Sequence, residues 1–286
     1  MPPGTTSVDP APLLTYAASQ HYASLHSPDA EYSLKKRLDQ AEFRLSKEPP
    51  PEANCAQTLG AKRFAFLLDD LGGLYSNMGD DTKAAEAYSK AIACSPRAEF
   101  LHAQLAAALL GMGHYGEARL ETQRQLTLGR ANFAVYTLLT QLDFIQDRWQ
   151  DAITHARLAA TEAPDDEQAA YWQCFLWLAQ KRMGIQEPVL INHSPPAAWP
   201  APILESLRGK INEADLTDAV KGEHDEHRQH EILTEALFYT GEKRMAENKT
   251  AEAAKYFTAA TNLQVTYFIE HHLATAELNK LRRAGP

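Results

Sequence analysis

The chain has 286 residues, of which 44% are apolar and 23% are charged, and these fractions are typical of a folded globular protein. Its formal net charge is −9, and its 28 Lys and Arg residues are scattered along the chain, which argues against nucleic acid as a partner. No stretch approaches the roughly 20 consecutive apolar residues that a membrane-spanning helix needs.

The first part of the chain contains one predicted helix. Residues 1–25 are expected to be mobile, and Met1–Ser7 has neither the basic segment nor the apolar segment of an export signal. Asp29–Glu48 has amphipathic helical spacing, and the prolines at 49–51 cannot continue a helix. We therefore predict a single amphipathic helix over Asp29–Glu48.

A repeat of 34 residues follows, and it is the strongest pattern in the sequence. Small residues recur at two of its positions, namely Gly72, Ala106, Thr140 and Cys174 at the first, and Ala84, Ala118 and Ala152 at the second. Gly79 is expected to end one helix, and Gly72 is expected where the next helix approaches closely. The period predicts helix-turn-helix units at 65–98, 99–132 and 133–166, with a fourth that begins at Glu167.

The fourth unit is predicted to stop after its first helix. Gly184 and the prolines between positions 188 and 202 preclude a continuous helix. Residues 185–224 are therefore predicted to form an irregular connection, with short helices at 203–208 and 213–221. This connection is the one candidate hinge in the chain.

The repeat pattern returns in the last part of the chain. A long helix is expected from near Asp225, and Gly241 and Phe257 fall at the offsets of a fifth unit that is out of phase by one residue. Tyr267–Arg283 predicts a terminal helix that shields the end of the stack. The predicted organisation has four segments: a mobile segment at 1–25, an N-terminal helix with repeats 1 to 3 and half of repeat 4 at 26–184, the irregular connection at 185–224, and the final repeat with its capping helix at 225–286.

These residues resemble the tetratricopeptide repeat, in which large and small residues alternate at fixed offsets and a proline ends the unit. The order of the units, with an aromatic half-repeat, an interruption, one late repeat and a capping helix, resembles the NlpI family of bacterial lipoproteins over roughly residues 60–280. The motifs that carry this resemblance are WQCFLWLAQK at 172–181, Leu207–Ile211, Phe238–Gly241, Ala253–Ala260 and Phe268–His272.

The resemblance implies an all-α tetratricopeptide-repeat solenoid that binds other proteins. It further implies a periplasm-facing homodimer, anchored at the outer membrane, that brings a tail-specific protease together with peptidoglycan endopeptidases. That location requires an export signal upstream of Met1; without one, we expect a cytoplasmic protein. The alternative function is then a cytoplasmic scaffold or chaperone-like module with unrelated partners.

Recognition in such a solenoid is expected on its concave face, which the first helix of each repeat lines. Counting positions within the repeats places eleven residues there: Phe66, Asp69, Asn77, Phe100, Leu110, Gln141, Phe144, Ile145, Tyr171, Phe175 and Leu178. This predicted face is largely aromatic and aliphatic, and such a groove is seldom left bare to water. Three occupants of this groove are possible: an apolar segment of a partner, the chain's own N-terminus or 185–202 loop, or a second protomer.

The sequence offers no candidate for catalysis, and we expect no cofactor or metal. His224, His227 and His230 recur every three residues and could gather a metal, but the charged residues around them favour a solvated helix start. Cys174 occupies the small-residue position of the fourth repeat, which favours a packing role over a nucleophile. Cys55 and Cys94 lie far from it in sequence, so neither a disulfide framework nor a zinc site is predicted.

Overall fold

The computed structural model describes residues 11–20, 28–48, 59–191 and 198–284. Fourteen helices and no strand occur within these ranges: α1 (Pro12–Ser19), α2 (Pro28–Lys47), α3 (Leu59–Asn77), α4 (Asp81–Cys94), α5 (Glu99–Gly111), α6 (Tyr115–Leu128), α7 (Phe133–Ile145), α8 (Trp149–Thr161), α9 (Asp166–Arg182), α10 (Ala201–Leu207), α11 (Glu213–Lys221), α12 (Glu226–Ala246), α13 (Thr250–Asn262) and α14 (Ile269–Ala284). None of these helices is both long and apolar enough to cross a bilayer.

The backbone repeats with the predicted period. The second helices of the first three hairpins, α4, α6 and α8, begin 34 residues apart. The residue two positions before each of these helices has a positive φ, which is 73° at Gly79, 79° at Gly113 and 54° at Asp147. Asn248 takes the same place before α13, with a φ of 61°. Glycine adopts this left-handed conformation readily, and Asn or Asp tolerates it. The turns of all four hairpins therefore share the same left-handed backbone conformation at this position.

Two hairpins share the same close approach between their helices. A Cβ atom added to Gly72 would lie 2.6 Å from Cε1 of Tyr88, and one added to Gly241 would lie 2.6 Å from Cε1 of Phe257. In each hairpin the aromatic residue follows its glycine by 16 positions. These contacts confirm the predicted close approach at Gly72. The chain is therefore an all-α helical-repeat solenoid of the tetratricopeptide type, as predicted.

The N-terminal segment contains a helix that its sequence does not predict. Leu13 and Ala17 of α1 are buried against α11, α12 and α13, and the Tyr16 hydroxyl donates a 2.8 Å hydrogen bond to Gln229. The remaining parts of the predicted mobile segment, residues 1–10 and 21–25, lie outside the described residues. A helix of eight residues is marginal alone, so its packing against distant helices determines it.

The chain leaves the repeat pattern after α9. Residues 185–191 form no helix. Val189 is held against α9 by the side chain of Gln180, which accepts a hydrogen bond from the Val189 backbone N–H (2.9 Å) and donates one to the Val189 carbonyl (3.1 Å). Residues 192–197 lie outside the described residues. The short helices that the sequence places at 203–208 and 213–221 occur as α10 and α11. Asp225 caps the N-terminus of α12 by accepting a hydrogen bond from the Arg228 backbone.

Candidate functional site

The concave face of the repeats is partly covered by the chain's own C-terminal helices. Helix α14 packs against α5 and α7, and α12 packs against α9. Lys280 of α14 donates to the Phe144 carbonyl at 3.1 Å and to the Asp147 carboxylate at 2.9 Å. The segment that fills this face is therefore formed by α12 and α14, which the sequence does not identify as an occupant.

Six of the eleven predicted concave-face residues are buried in this packing. They are Leu110, Gln141, Phe144, Ile145, Phe175 and Leu178. Phe175 illustrates the cause, because its ring centroid lies 5.0 Å from that of Phe144 on one side and 5.6 Å from that of Tyr239 on the other. A partner would reach most of this set only if the C-terminal helices moved away. Partner binding by the eleven residues stays a prediction.

The other five predicted residues are partly or largely exposed. Phe66 and Phe100 occupy equivalent positions in the first two repeats, and they are 69% and 53% exposed. Asn77 is exposed, whereas Asp69 and Tyr171 are half-buried. The N-terminal end of the concave face thus presents two aromatic side chains to solvent on the neighbouring helices α3 and α5.

Two cavities remain on the concave side where the C-terminal helices do not fill it. The first, of about 280 Å³, lies between α5, α7 and the start of α14, and small residues such as Ala103, Ala107 and Ala134 line it. The second, of about 330 Å³, lies between α9, α12 and the start of α14. Tyr267 and Ile269 line both, so the connection from α13 to α14 separates the two cavities.

The second cavity has acidic and aromatic walls, and we call it the acid–aromatic cavity. Its lining includes Glu167, Tyr171, Trp172, Phe175, Arg228, Glu235, Tyr267, Phe268 and Glu270. Tyr171 and Phe175 belong to the concave set predicted from the sequence. The cavity therefore joins part of the predicted site to residues from α12 and the start of α14 that lie outside the predicted concave set.

Two buried carboxyl groups define the electrostatics of this cavity. Glu235 is 2% exposed, and it accepts hydrogen bonds from the Tyr171 hydroxyl (2.8 Å) and the Trp199 indole N–H (2.5 Å). Burial, reinforced by the nearby charge of Glu270, raises the pKa of Glu235 to about 8. Burial likewise raises the pKa of Glu270, which accepts from the Tyr239 hydroxyl at 3.3 Å, to about 7.

The cationic group in the lining of this cavity is Arg228, and an acidic neighbour already holds it. Its guanidinium donates to the carboxylate of Glu231 at 2.9 Å. The hydrogen bonds given above for Glu235 and Glu270 come from neutral hydroxyl and indole groups. One guanidinium therefore faces two buried carboxyl groups whose donors are uncharged, and at high pH the cavity carries excess negative charge.

The aromatic wall of the cavity is built by α9. The rings of Trp172 and Phe175 stack with their centroids 5.0 Å apart and their planes 23° from parallel. Trp172 is 5% exposed, and its indole N–H has no hydrogen-bond acceptor in the described part of the chain. Leaving a buried donor unsatisfied costs free energy, so an acceptor that reached this N–H would recover that cost.

A feature of the sequence could have indicated these carboxyl groups, namely a glutamate within a buried helical stretch. Glu235 lies inside a buried and mostly apolar stretch of α12, and Leu233 and Leu237 are buried two residues before and after it. A charge within a buried helical run is rare unless it has a role or a partner. Glu270 follows two apolar residues at the start of α14, and its place in the cavity depends on how α14 folds back across α12.

The histidines and cysteines that the structure describes take part in packing and hydrogen bonds. Within the described residues no group of three or more His, Cys, Asp or Glu side chains could hold a metal. His230 is buried and bonds the Glu226 carbonyl through Nδ1 at 2.7 Å, whereas His227 bonds the Tyr267 hydroxyl at 2.8 Å. Burial of His230 differs from the predicted solvated helix start, because α12 packs centrally. Cys174 is fully buried, whereas Cys55 lies outside the described residues.

Comparison with known proteins gives only distant structural neighbours. No protein-family model matches the chain, and a search of curated proteins found no match. The crystal structure of YrrB, described as a TPR protein with an unusual peptide-binding site, is similar with a TM-score of 0.39 and 13% identity over 82% of this chain and 97% of that chain. A tetratricopeptide repeat protein from Parabacteroides merdae is similar with a TM-score of 0.48 and 12% identity over 93% and 83% of the two chains.

Proposed function

We propose that this tetratricopeptide-type solenoid is a non-catalytic adaptor that binds other proteins. The observation that carries the proposal is the open part of the concave face, where Phe66 and Phe100 are exposed and two cavities remain beside the C-terminal helices. Exposed aromatic residues and open concave surfaces are both typical of recognition sites. The outer parts of the concave face thus remain accessible to a polypeptide.

The chemistry of the buried reactive groups supports a binding role. Burial raises the pKa of the Cys174 thiol well above its ordinary value, so a nucleophilic thiolate is disfavoured. The carboxyl of Glu235 is held by Tyr171 and Trp199, whose hydroxyl and indole groups are hydrogen-bond donors and not bases at neutral pH. Neither donor can therefore act as a general base toward a water molecule.

We further propose that the partners are a periplasmic tail-specific protease and peptidoglycan hydrolases, brought together by a homodimer of this chain at the outer membrane. The order of elements supports this assignment: three hairpins, the single helix α9, an interruption with α10 and α11, the α12–α13 hairpin and the terminal α14. The sequence resemblance to the NlpI family over the same stretch is its second support.

Direct binding of purified proteins tests both levels of this proposal. The full chain is immobilised and offered the tail-specific protease and an endopeptidase from the same organism. We expect both to bind, with at least tenfold lower affinity for the double variant Phe66→Ala/Phe100→Ala. The matched control is Leu120→Ala, which removes a side chain 55% exposed on the second helix α6.

The outcomes separate the general proposal from the specific one. Binding of other proteins that depends on Phe66 and Phe100, without binding of the protease, would retain the adaptor and reject the protease assignment. Loss of binding with Leu120→Ala to the same degree would reject the concave face as the site. Fractionation of native cells that recovers the chain only from the cytoplasm would favour the cytoplasmic scaffold, and sedimentation that gives only a monomer would reject the homodimer.

A further inference from the structure

We infer that the acid–aromatic cavity binds a basic side chain, lysine or arginine, carried by an extended segment of a protein partner. The inference rests on the proposed adaptor function and deepens it, because it assigns a chemistry to what one cavity recognises. It stands on three independent features of the cavity, which are its charge, its aromatic wall and an unsatisfied donor.

The charge of the cavity favours a cation. Glu235 and Glu270 come from different helices and are both more than nine-tenths buried, and the guanidinium in the lining is shared with Glu231. Opposite charges attract more strongly where water is excluded, so an entering ammonium or guanidinium group is stabilised by both carboxylates. Glu167 lines the same cavity and is exposed, so it adds negative potential on the solvent side.

The aromatic wall suits the same ligand. Trp172, Phe175 and Phe268 line the cavity, and the rings of Trp172 and Phe175 stack on each other in its wall. A cation over an aromatic face is attracted by the ring quadrupole, and the methylene stem of lysine or arginine packs against the remaining apolar surface. A small inorganic cation would make no use of this wall.

The unsatisfied donor of Trp172 points to a peptide and not to a free amine. Its indole N–H lacks an acceptor in the described residues although the side chain is almost fully buried. A peptide that places its basic side chain between the carboxylates also brings backbone carbonyl oxygens, and one of these can accept from the indole once a shift of the ring exposes its N–H. An alkylammonium ion has the positive charge but no carbonyl oxygen that could accept a hydrogen bond from the indole.

Binding of a cation in this cavity should depend on pH. The pKa values of Glu235 and Glu270 are raised to about 8 and about 7, so at neutral pH both groups are partly protonated. The groups that face Glu235 are Tyr171 on α9, Trp199 before α10, Arg228 on α12 and Glu270 on α14. A bound cation favours the ionised carboxylates, so affinity should rise between pH 6 and pH 9 and binding should release protons.

Titration of the full chain with defined peptides tests the inference. The ligands are acetylated and amidated Gly-Lys-Gly and Gly-Arg-Gly, their analogue with norleucine at the centre, and n-butylammonium ion. Binding is followed through the indole NMR signals of Trp172 and Trp199. We expect both basic peptides to bind at least tenfold more tightly than the norleucine peptide, which matches lysine in length but lacks its charge.

Three variants make the assignment specific to this cavity. Glu235→Gln/Glu270→Gln should weaken the basic peptides at least tenfold and remove the pH dependence. Glu117→Gln, which changes an exposed carboxylate on α6, should leave both unchanged. Trp172→Phe keeps a ring but removes the N–H, so it should weaken the lysine peptide while leaving n-butylammonium unaffected. Thermal unfolding of each variant verifies that it is folded.

Results of two kinds would overturn the inference. Equal binding of the lysine and norleucine peptides, or no effect of the double Gln variant on a basic peptide, would show that the carboxylates do not recognise a cation. Equal effects of Trp172→Phe on the peptide and on n-butylammonium would reject the peptide carbonyl. Either result leaves the adaptor function standing if partner binding still depends on Phe66 and Phe100.

Discussion

Two buried carboxylates, Asp143 in the third repeat and Glu235 in the C-terminal helices, are held by different kinds of partner. Asp143 on α7 is fully buried and bonds the guanidinium of Arg119 and the imidazole of His155, both at 2.6 Å. Glu235 on α12 is equally buried, but Tyr171 and Trp199 hold it. A buried charge that is paired with a base serves the fold, whereas one with neutral donors retains the capacity to bind a cation from outside.

The largest effect on stability is expected within the predicted concave-face set, whose members the structure divides into buried and exposed residues. Phe144→Ala should lower the free energy of unfolding by about 3–5 kcal/mol, because the ring packs edge-on against Trp149 and Phe175 in the core. Phe100→Ala, which belongs to the same set but is exposed, should change it by no more than about 0.5 kcal/mol. Urea unfolding measures both. A small effect of Phe144→Ala would mean that α14 does not cover this residue in solution.

Removing the charge of Asp143 should have the next largest effect. Asp143→Asn keeps the shape of the side chain but leaves Arg119 and His155 without their carboxylate, and we expect a loss of about 3 kcal/mol. The matched change Asp151→Asn, which affects a carboxylate that is 44% exposed on α8, should cost no more than about 0.5 kcal/mol. Equal losses in the two variants would show that the buried pairs contribute no more than surface pairs.

The paired glycine contacts predict equal effects in the two regions. Gly72→Leu and Gly241→Leu should each cost ~1–3 kcal/mol or more, because the added side chain meets Tyr88 or Phe257 at once. Gly116→Leu is the control, since a Cβ added there meets nothing within 4 Å. Thermal unfolding that leaves Gly241→Leu unchanged while Gly72→Leu is destabilised would contradict the equivalence of the first and fifth repeats.

The sequence predicts the local structure of each hairpin well, but it predicts poorly how the C-terminal helices pack back onto the repeats. Turn residues such as Gly79 and close-packed residues such as Gly72 follow from contacts within one hairpin, so a 34-residue period specifies them. The cover that α12 and α14 place over Phe144 and Phe175 depends on the path of the chain through α10 and α11. No periodic signal encodes that path, and so counting along the repeat predicts concave positions without showing which of them the chain itself covers.

The smallest expected effect is the most direct test of the contrast between Asp143 and Glu235. Because the pKa of Glu235 is raised to about 8 in the folded chain from its ordinary 4.5, the folded state retains a proton that the unfolded state loses between these values. The free energy of unfolding therefore falls as pH rises from about 5 to about 8. Glu235→Gln cannot ionise, so this part of the pH dependence should disappear.

At pH 8.5 we expect Glu235→Gln to raise Tm by on the order of 3 °C relative to the parent, and at pH 5 we expect the two to differ little. The reason is that the glutamine amide resembles the protonated carboxyl that the folded chain prefers at low pH, whereas the parent must bury a charge or hold a proton at high pH. Glu117→Gln, an exposed carboxylate, should follow the parent at both pH values. If Glu235→Gln instead lowers Tm equally at pH 5 and pH 8.5, the carboxylate stabilises the fold as Asp143 does, and the cavity loses the property that makes it receptive to a cation.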